Sequence, residues 1–163
     1  MFAMRFLLVF LGSYLLLQLG YTLYLAWFEP NIDSLSYVTT WVLTQLFEGA
    51  SMVEKPGEAK LVFLIHGKAI INIKEACNGL SVAISLWAFL IAYRQPLKYY
   101  FWVVPFASLA LFLANVFRLF ALVIIKQNSP NNFVFFHEYL FPGILYLFAF
   151  GIMVYWVKLK PQD

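Results

Sequence analysis

The stretch Glu75-Ala76-Cys77-Asn78-Gly79-Leu80 joins the polar part of this chain to an apolar run that continues to Tyr93. It contains the one cysteine of the 163-residue sequence. A thiol at the start of a helix lies at the positive end of the helix dipole, which favours the nucleophilic thiolate. The sequence therefore predicts that a membrane helix and a candidate reactive group begin at the same place.

The composition is typical of an integral membrane protein. Hydrophobic residues make up 63% and aromatic residues 20% of the chain, and the mean hydropathy is +0.80. A soluble domain of this length has no core large enough to bury that much apolar surface. The apolar runs are far longer than the roughly 10-residue alternating strands of a membrane barrel. We therefore predict an all-α membrane protein.

Apolar runs predict about four transmembrane helices within a single membrane domain, 1–163. The predicted spans are 6–28, 78–93, 99–125 and 135–157, and the first is long enough to cross a bilayer with some tilt. The first run exceeds the about 7–15-residue apolar core of a signal peptide, so we expect a retained helix.

The segment 29–76 is the one substantial polar part of the chain. Asp33-Ser34 is a candidate helix cap. It precedes apolar residues at three- and four-residue spacing: Leu35, Val38, Val42, Leu46 and Phe47. With Tyr37 and Trp41, which suit a membrane interface, this pattern predicts an amphipathic helix on the bilayer surface. The β-rich runs 61–65 and 69–74 predict a small hairpin that leads into Cys77.

Charge asymmetry orients the predicted helices. One side carries basic residues opposed only by Asp163: Arg5, Arg94, Lys98, Lys158 and Lys160. The other side carries acids mixed with lysines: Glu29, Asp33, Glu48, Glu54, Glu58, Glu75 and Glu138. The positive-inside rule places both termini in the cytoplasm and the segment 29–76 outside.

This topology brings three distant residues to one depth. Cys77 starts the second predicted helix at its outer end, and His137 opens the fourth, also at its outer end. Arg118 lies roughly 29 Å along the third helix from Tyr99, at about 1.5 Å per residue. All three residues are therefore expected near the extracytoplasmic surface.

Each of these residues has an ordinary explanation when taken alone. A membrane cysteine is most often a small apolar filler, a terminal arginine often snorkels to headgroups, and an interfacial histidine is usually polar packing. Together they are the parts of thiol acyl transfer: a nucleophile, a proton carrier and a cation for the oxyanion. Asn115 shares a helical face with Arg118 and is a candidate for orienting it or for bonding between helices. Glu75 and Glu138 are candidates for orienting an imidazole or binding a substrate cation.

Several kinds of site are absent from the sequence. It contains no phosphate loop, dinucleotide fingerprint or His/Asp metal cluster, and one cysteine excludes an intramolecular disulfide and a Cys-x-x-Cys motif. The net charge of +3 is small. We therefore predict no cofactor, no metal and no nucleic-acid partner.

At these residues the sequence resembles the exosortase/archaeosortase family of membrane cysteine transpeptidases. Ala76-Cys77-Asn78-Gly79 is similar to the family's Ala/Gly-Cys-Ser-Gly motif, with asparagine in place of the usual serine. Asn115-Val116-Phe117-Arg118 matches its Asn-x-x-Arg motif, and His137 falls where the exosortase histidine is expected. The resemblance covers about residues 60–157. The short chain resembles a compact exosortase, with the F type as the candidate.

The resemblance implies a cysteine protease and transpeptidase of the bacterial inner membrane, with its active site on the extracytoplasmic face. Its substrates would be exported proteins with a C-terminal sorting signal, made of a short motif, a transmembrane helix and a basic tail. The enzyme would cleave near the motif through a cysteine thioester and transfer the protein to an anchor, with water or an amine as the acceptor. The implied catalytic residues are Cys77, Arg118 and His137, and Asn115 and Asn78 occupy supporting positions of the motifs.

Three other functions are alternatives to this hypothesis. A non-catalytic membrane subunit, or an assembly or export partner, would use Asn115 and Arg118 for helix contacts. A transporter or channel fragment is disfavoured because no inverted repeat is visible. A metalloprotease is disfavoured because the two histidines are remote and no His-Glu-x-x-His motif exists.

Overall fold

Helices make up most of the structure. The computed structural model describes residues 2–55 and 57–159; Lys160 and Asp163, two of the charges used to orient the chain, lie outside them. The helices are α1 (Phe2–Phe28), α2 (Ser34–Thr44), α3 (Leu80–Ala92), α4 (Leu97–Asn128), α5 (Phe133–Phe135) and α6 (Phe141–Lys158). The strands are β1 (Ala50–Glu54), β2 (Lys60–Ile65) and β3 (Lys68–Lys74).

Three helical segments are long and apolar enough to cross a membrane: Ala3–Phe28, Leu97–Asn128 and Pro130–Lys158. The remaining predicted span, 78–93, is shorter in the structure, because α3 has 13 residues. Its length is roughly 20 Å at about 1.5 Å per residue, less than the ~30 Å of a bilayer core. The residue before a proline avoids helical backbone, and Pro96 at the start of α4 keeps the two helices apart.

Contacts near both ends of α3 show how this helix lies against α1. Near its start, the Tyr21 hydroxyl donates a hydrogen bond to the Glu75 carbonyl at 3.3 Å. Near its end, the Phe89 ring packs edge-on against Phe6 at a centroid distance of 5.6 Å. Phe6 and Tyr21 lie roughly 22 Å apart along α1. α3 therefore runs antiparallel to α1, and the four crossings stay a prediction.

The last helical segment is irregular at its N-terminal end. A 3₁₀ turn, Pro130–Asn132, precedes α5, and a π-helical stretch, Phe136–Leu140, separates α5 from α6. The segment begins earlier than the predicted span 135–157, because Pro130 suits the first position of a helix. Pro142 has no N–H to donate, which removes one helical hydrogen bond from the turn before it. His137 therefore lies inside the segment, on the π-helical stretch, and does not open it.

The strands form one antiparallel sheet in the order β1-β2-β3. The predicted hairpin is the β2–β3 pair, and its turn residues His66 and Gly67 have φ values of 49° and 74°, as a tight hairpin turn requires. β1 was not predicted. Its sequence has one β-branched residue, Val53, so its strand conformation depends on pairing with β2.

The amphipathic helix is present, but it ends at Thr44, before Leu46 and Phe47, and part of its apolar surface is exposed. The Asp33 carboxylate accepts hydrogen bonds from the Leu35 and Ser36 amides, which confirms the predicted cap. The buried residues of α2 are Ser36, Thr39, Thr40 and Leu43, whereas Tyr37, Val38 and Trp41 are exposed. The Thr39 and Thr40 hydroxyls donate to carbonyls of their own helix, so these small polar side chains can be buried without outside partners.

Two apolar clusters hold the elements together. The inner cluster joins α3, α4 and α6 through Leu86, Leu111, Leu145 and the fully buried Trp156. The outer cluster packs the sheet and α2 on α4, and its buried members are Leu43, Phe63, Ile71, Ile73, Cys77, Leu119, Leu122 and Val123. The cysteine is thus part of the contact between the sheet and α4, which fixes its position.

Candidate active site

Cys77 ends a 3₁₀ turn, Glu75–Cys77, and does not begin a helix. α3 starts only at Leu80, so the predicted helix start at Asn78 is wrong by two residues. Gly79 causes the break, because its φ of 77° is a left-handed conformation that favours glycine. The thiol therefore precedes the helix by about a turn, and the helix dipole is a weaker argument for its reactivity than the sequence indicated.

His137 is the polar side chain beside the thiol. The distance from Cys77 Sγ to His137 Nε2 is 3.9 Å, within reach of a proton transfer once the groups close on a substrate. The imidazole stacks on the Phe133 ring, with centroids 5.5 Å apart and planes 17° from parallel. Lys126 Nζ lies 4.9 Å from the centroid of the same phenyl ring. The histidine is thus held by an aromatic neighbour one helical turn earlier.

Asn115 connects α4 to the turn that carries the thiol. Its Nδ2 donates a hydrogen bond of 2.8 Å to the Cys77 carbonyl, and the side chain is 1% exposed. The approach is close: a Cβ on Gly79 would lie 3.0 Å from Asn115 Cγ. Gly79 therefore serves two needs, the left-handed backbone and the space for this amide.

Arg118 lies one turn further along α4 and reaches both neighbours. Its Nη1 donates to Asn115 Oδ1 and its Nη2 to the His137 carbonyl, each at 3.5 Å. The residue is 7% exposed, and its Nε has no hydrogen-bond partner in the described ranges. A guanidinium has five N–H donors in a fixed plane, so this one keeps donors free for another oxygen.

The other predicted site residues lie elsewhere. Asn78 is buried, and its Oδ1 accepts a hydrogen bond of 2.9 Å from the Leu80 amide at the start of α3. Glu75 lines a separate cavity with Glu29 and Asp33. Glu138 follows His137 on the π-helical stretch, and neither acid forms a hydrogen bond or ion pair with the imidazole in the described part of the chain. Within those ranges no three metal-ligating side chains converge.

A cavity of about 520 Å³ opens beside the thiol and the imidazole. Besides Cys77 and His137, its walls come from β3, α4 and Phe133. Phe133 and the β3 residues were not predicted to line the site, and Gly79 was predicted only as part of the cysteine motif. Phe133 could have been found from its spacing, because residues four apart share a helical face. The lining of the cavity by β3 depends on how the sheet packs, and no residue spacing in the sequence indicates it.

The fold and this site define a multi-pass membrane protein with a buried cysteine beside a histidine and an arginine. The family model for transmembrane exosortases matches residues 1–157. The chain belongs to the transmembrane exosortase family, and a general role as a membrane sorting transpeptidase follows from that membership. The match confirms the resemblance and extends it to α1 and the segment 29–76. No curated protein and no solved structure matches the chain.

Proposed function

We propose that this exosortase cleaves exported proteins at a C-terminal sorting signal through a thioester on Cys77. The observation that carries the proposal is the 3.9 Å approach of Cys77 Sγ to His137 Nε2 at the wall of a cavity. Both groups are tied to one arginine, since Asn115 bonds to Cys77 and Arg118 bonds to Asn115 and His137. A nucleophile, a base and a cation in contact are the parts that acyl transfer requires.

The first half of the reaction makes the acyl-enzyme. The Cys77 sulfur attacks the scissile carbonyl and a carbon–sulfur bond forms, while the thiol proton passes to His137 Nε2. As the tetrahedral intermediate collapses, the carbon–nitrogen bond breaks and His137 gives the proton to the leaving amine. In the second half His137 removes a proton from the acceptor, which is water or an amine, and the acceptor attacks the thioester carbonyl. The new carbon–oxygen or carbon–nitrogen bond forms, the carbon–sulfur bond breaks, and the proton on His137 returns to the Cys77 sulfur.

Arg118 is proposed to stabilise the oxyanion. Its guanidinium is almost buried and retains donors that the described residues do not use. A preorganised donor of this kind typically contributes about 10²–10³ in rate. Asn115 acts as a positioning residue, because it holds the main chain of Cys77 and one Nη of Arg118.

The placement in the membrane follows from charge and depth. We propose that both termini are cytoplasmic, that the chain is one membrane domain, and that the site faces the extracytoplasmic side of the bacterial inner membrane. Arg118 lies roughly 30 Å along α4 from Leu97, about one bilayer core. The anchor helix of the substrate would then lie against the protein within the bilayer, with its motif at the level of Cys77.

Trapping the acyl-enzyme tests the proposal. Membranes that contain the full-length protein are quenched in acid, and peptides attached to Cys77 by a hydroxylamine-sensitive bond are identified by mass spectrometry. We expect the N-terminal part of a cleaved exported protein on wild-type Cys77 and none on Cys77→Ala. A Cys77→Ala protein that still releases anchor helices from exported proteins would contradict the proposal.

A non-catalytic membrane subunit is the second candidate. The observation that favours it is that Asn115 and Arg118 already bond to other elements of the protein. A membrane-impermeant thiol reagent applied to intact cells separates the two. Labelling of Cys77 from outside supports the enzyme, whereas labelling only from the cytoplasmic side supports the subunit.

A further inference from the structure

The strand β3 is an edge of the sheet and also a wall of the candidate active site. Among the described residues, the sheet order β1-β2-β3 leaves one side of β3 without a neighbouring strand. Five of its residues line the cavity that contains Cys77 and His137: Ala69, Ile70, Ile71, Asn72 and Lys74. An unpaired edge presents main-chain donors and acceptors to any extended chain that lies beside it.

The pairing of β1 with β2 shows which way the main-chain groups point. The His66 amide donates to the Gly49 carbonyl at 2.9 Å. The Lys55 amide donates to the Lys60 carbonyl at 3.3 Å. Hydrogen-bonded pairs alternate along an antiparallel ladder, so the even-numbered residues of β2 bond toward β1. The odd-numbered residues of β2 consequently bond toward β3.

This alternation identifies the free groups of β3. Ile73 is paired with Leu61, an odd-numbered residue, so its N–H and C=O point toward β2. Asn72 and Lys74 alternate with it and point their N–H and C=O away from the sheet. Beyond the register shift between Phe63 and Leu64, Ala69 is paired with Leu64, an even-numbered residue. The N–H and C=O of Ala69 therefore also point away from the sheet. No main-chain group in the described ranges bonds to these three outside β2.

The edge runs toward the thiol from the outer surface. Ala69, Ile70 and Lys126 line both the cavity at Cys77 and a second cavity of about 740 Å³ at the hairpin turn. The two cavities are therefore adjacent, and together they are called the groove. Lys126 lies roughly 16 Å further along α4 than Asn115, which holds Cys77. β3 thus descends along α4 from its outer end to the nucleophile.

We propose that this edge binds the substrate segment that precedes the scissile bond, as an added strand parallel to β3. The proposal rests on the proposed function, in which the exported body lies outside and the anchor helix lies in the bilayer. Such a chain reaches Cys77 from outside, in the same direction as β3. The segment before the scissile carbonyl is also the part that stays on the enzyme as the acyl group. Main-chain pairing would then hold the acyl group in place.

The charge of the groove agrees with this occupant. Lys68, Lys74 and Lys126 line its two cavities, and no carboxylate is among the described lining residues. A neutral or acidic segment fits such a groove, whereas the basic tail of a sorting signal does not. Edge lysines also disfavour pairing of the sheet with a second copy of the same protein. The experiment below includes an outcome that would detect such a copy at this edge.

Peptidyl chloromethyl ketones test the proposal, because their peptide occupies the acyl side. The probe is a tagged hexapeptide mixture with randomised side chains; the Cys77 sulfur displaces chloride, and the proton passes to His137. The full-length protein in lipid nanodiscs is labelled as wild type, Asn72→Pro and Met52→Pro. Met52 occupies the outward position on β1, the opposite edge of the sheet, and proline removes one outward N–H in each variant.

We expect Asn72→Pro to react with the peptide probe about tenfold more slowly than wild type, as the loss of one main-chain hydrogen bond implies. Asn72→Ala keeps the N–H and should react at about the wild-type rate. Met52→Pro should match wild type, and chloroacetamide, which has no peptide, should label all the proteins alike. Two further probes carry N-methyl groups on either the odd-numbered or the even-numbered amides of the peptide. Only one of these two probes should label the wild type more slowly than the unmethylated probe.

Two results would overturn the inference and leave the thioester proposal standing. One is an equal labelling rate for Asn72→Pro and Met52→Pro, and the other is an equal effect of N-methylation at the odd-numbered and the even-numbered amides. Loss of a wild-type dimer in Asn72→Pro at unchanged labelling would assign the edge to a contact between copies and also overturn it. If the peptide probe labels wild-type Cys77 no faster than chloroacetamide, the proposed function fails and this inference fails with it. If Asn72→Pro does not fold, the labelling of the wild type by the N-methylated probes is sufficient to test the inference.

Discussion

Asn115 Nδ2 donates a hydrogen bond of 2.8 Å to the main-chain oxygen of Cys77, and Asn115 Oδ1 accepts one of 3.5 Å from Arg118. One buried amide therefore connects the thiol turn to the arginine through both of its polar atoms. A carboxylate cannot replace it, because a carboxylate accepts hydrogen bonds and does not donate them. The two motifs that stand far apart in the sequence meet at this side chain.

Asn115→Asp is expected to disrupt the site without changing its shape. The new carboxylate keeps an acceptor for Arg118 but places an oxygen against the Cys77 carbonyl, so a buried acceptor loses its donor. We expect the free energy of unfolding to fall by about 1–3 kcal/mol and acyl-enzyme formation to fall about tenfold or more. Denaturation in detergent measures the free energy of unfolding, and the trapping assay measures acyl-enzyme formation. Asn131→Asp, at an exposed position, is the control and should change neither.

Gly79→Ala is expected to be far worse than Gly57→Ala. Both glycines have a left-handed backbone, with φ of 77° and 78°, so both substitutions bear a cost of about 1–2 kcal/mol. Only at Gly79 would the new Cβ meet a neighbour, Asn115, whereas Gly57 has open space. The difference in unfolding free energy between the variants therefore isolates the contact. If the two variants are equally stable and equally active, close approach at Gly79 is not required.

The convergence of Cys77, Arg118 and His137 could be predicted from the sequence, but the walls of the cavity beside them could not. Span lengths and the rise of a helix brought Cys77, Arg118 and His137 to one level, because these quantities are local. The strand β1, the exposed part of the apolar surface of α2 and the contact of Gly79 with Asn115 arise from packing between distant segments, which no short pattern records. The helix dipole argument failed for a local reason, since Gly79 delays the helix to Leu80.

Arg118→Lys is expected to abolish most of the activity while the protein still folds. A lysine is a single point charge and cannot reach both the Asn115 and His137 oxygens while offering a further donor. We expect a loss of about 10²–10³ in the rate of acyl-enzyme formation. Arg94→Lys, an exposed change of the same type, should be neutral. Equal activity of the two variants would remove Arg118 from the mechanism.

Phe133→Leu tests whether stacking holds the histidine. Phe133 packs on the imidazole at a centroid distance of 5.5 Å, whereas Phe135, two residues later, is 57% exposed. Loss of the ring is expected to lower the transfer rate about tenfold by freeing the imidazole, since stacking of this kind is worth ~0.5–1.5 kcal/mol. Phe135→Leu should not change the rate. Matching rates for the two variants would show that other contacts position His137.

Placing single cysteines on either side of α3 tests the four crossings. In a Cys77→Ser background, Ser51→Cys lies on an exposed position of β1, and Arg94→Cys lies in the turn after α3. Because Tyr21 contacts Glu75 and Phe89 contacts Phe6, the two cysteines should face opposite sides of the bilayer. An impermeant maleimide should label Ser51→Cys in intact cells and Arg94→Cys only after permeabilisation. Labelling of both from outside would mean that α3 does not cross and that the helices after it are oriented the other way.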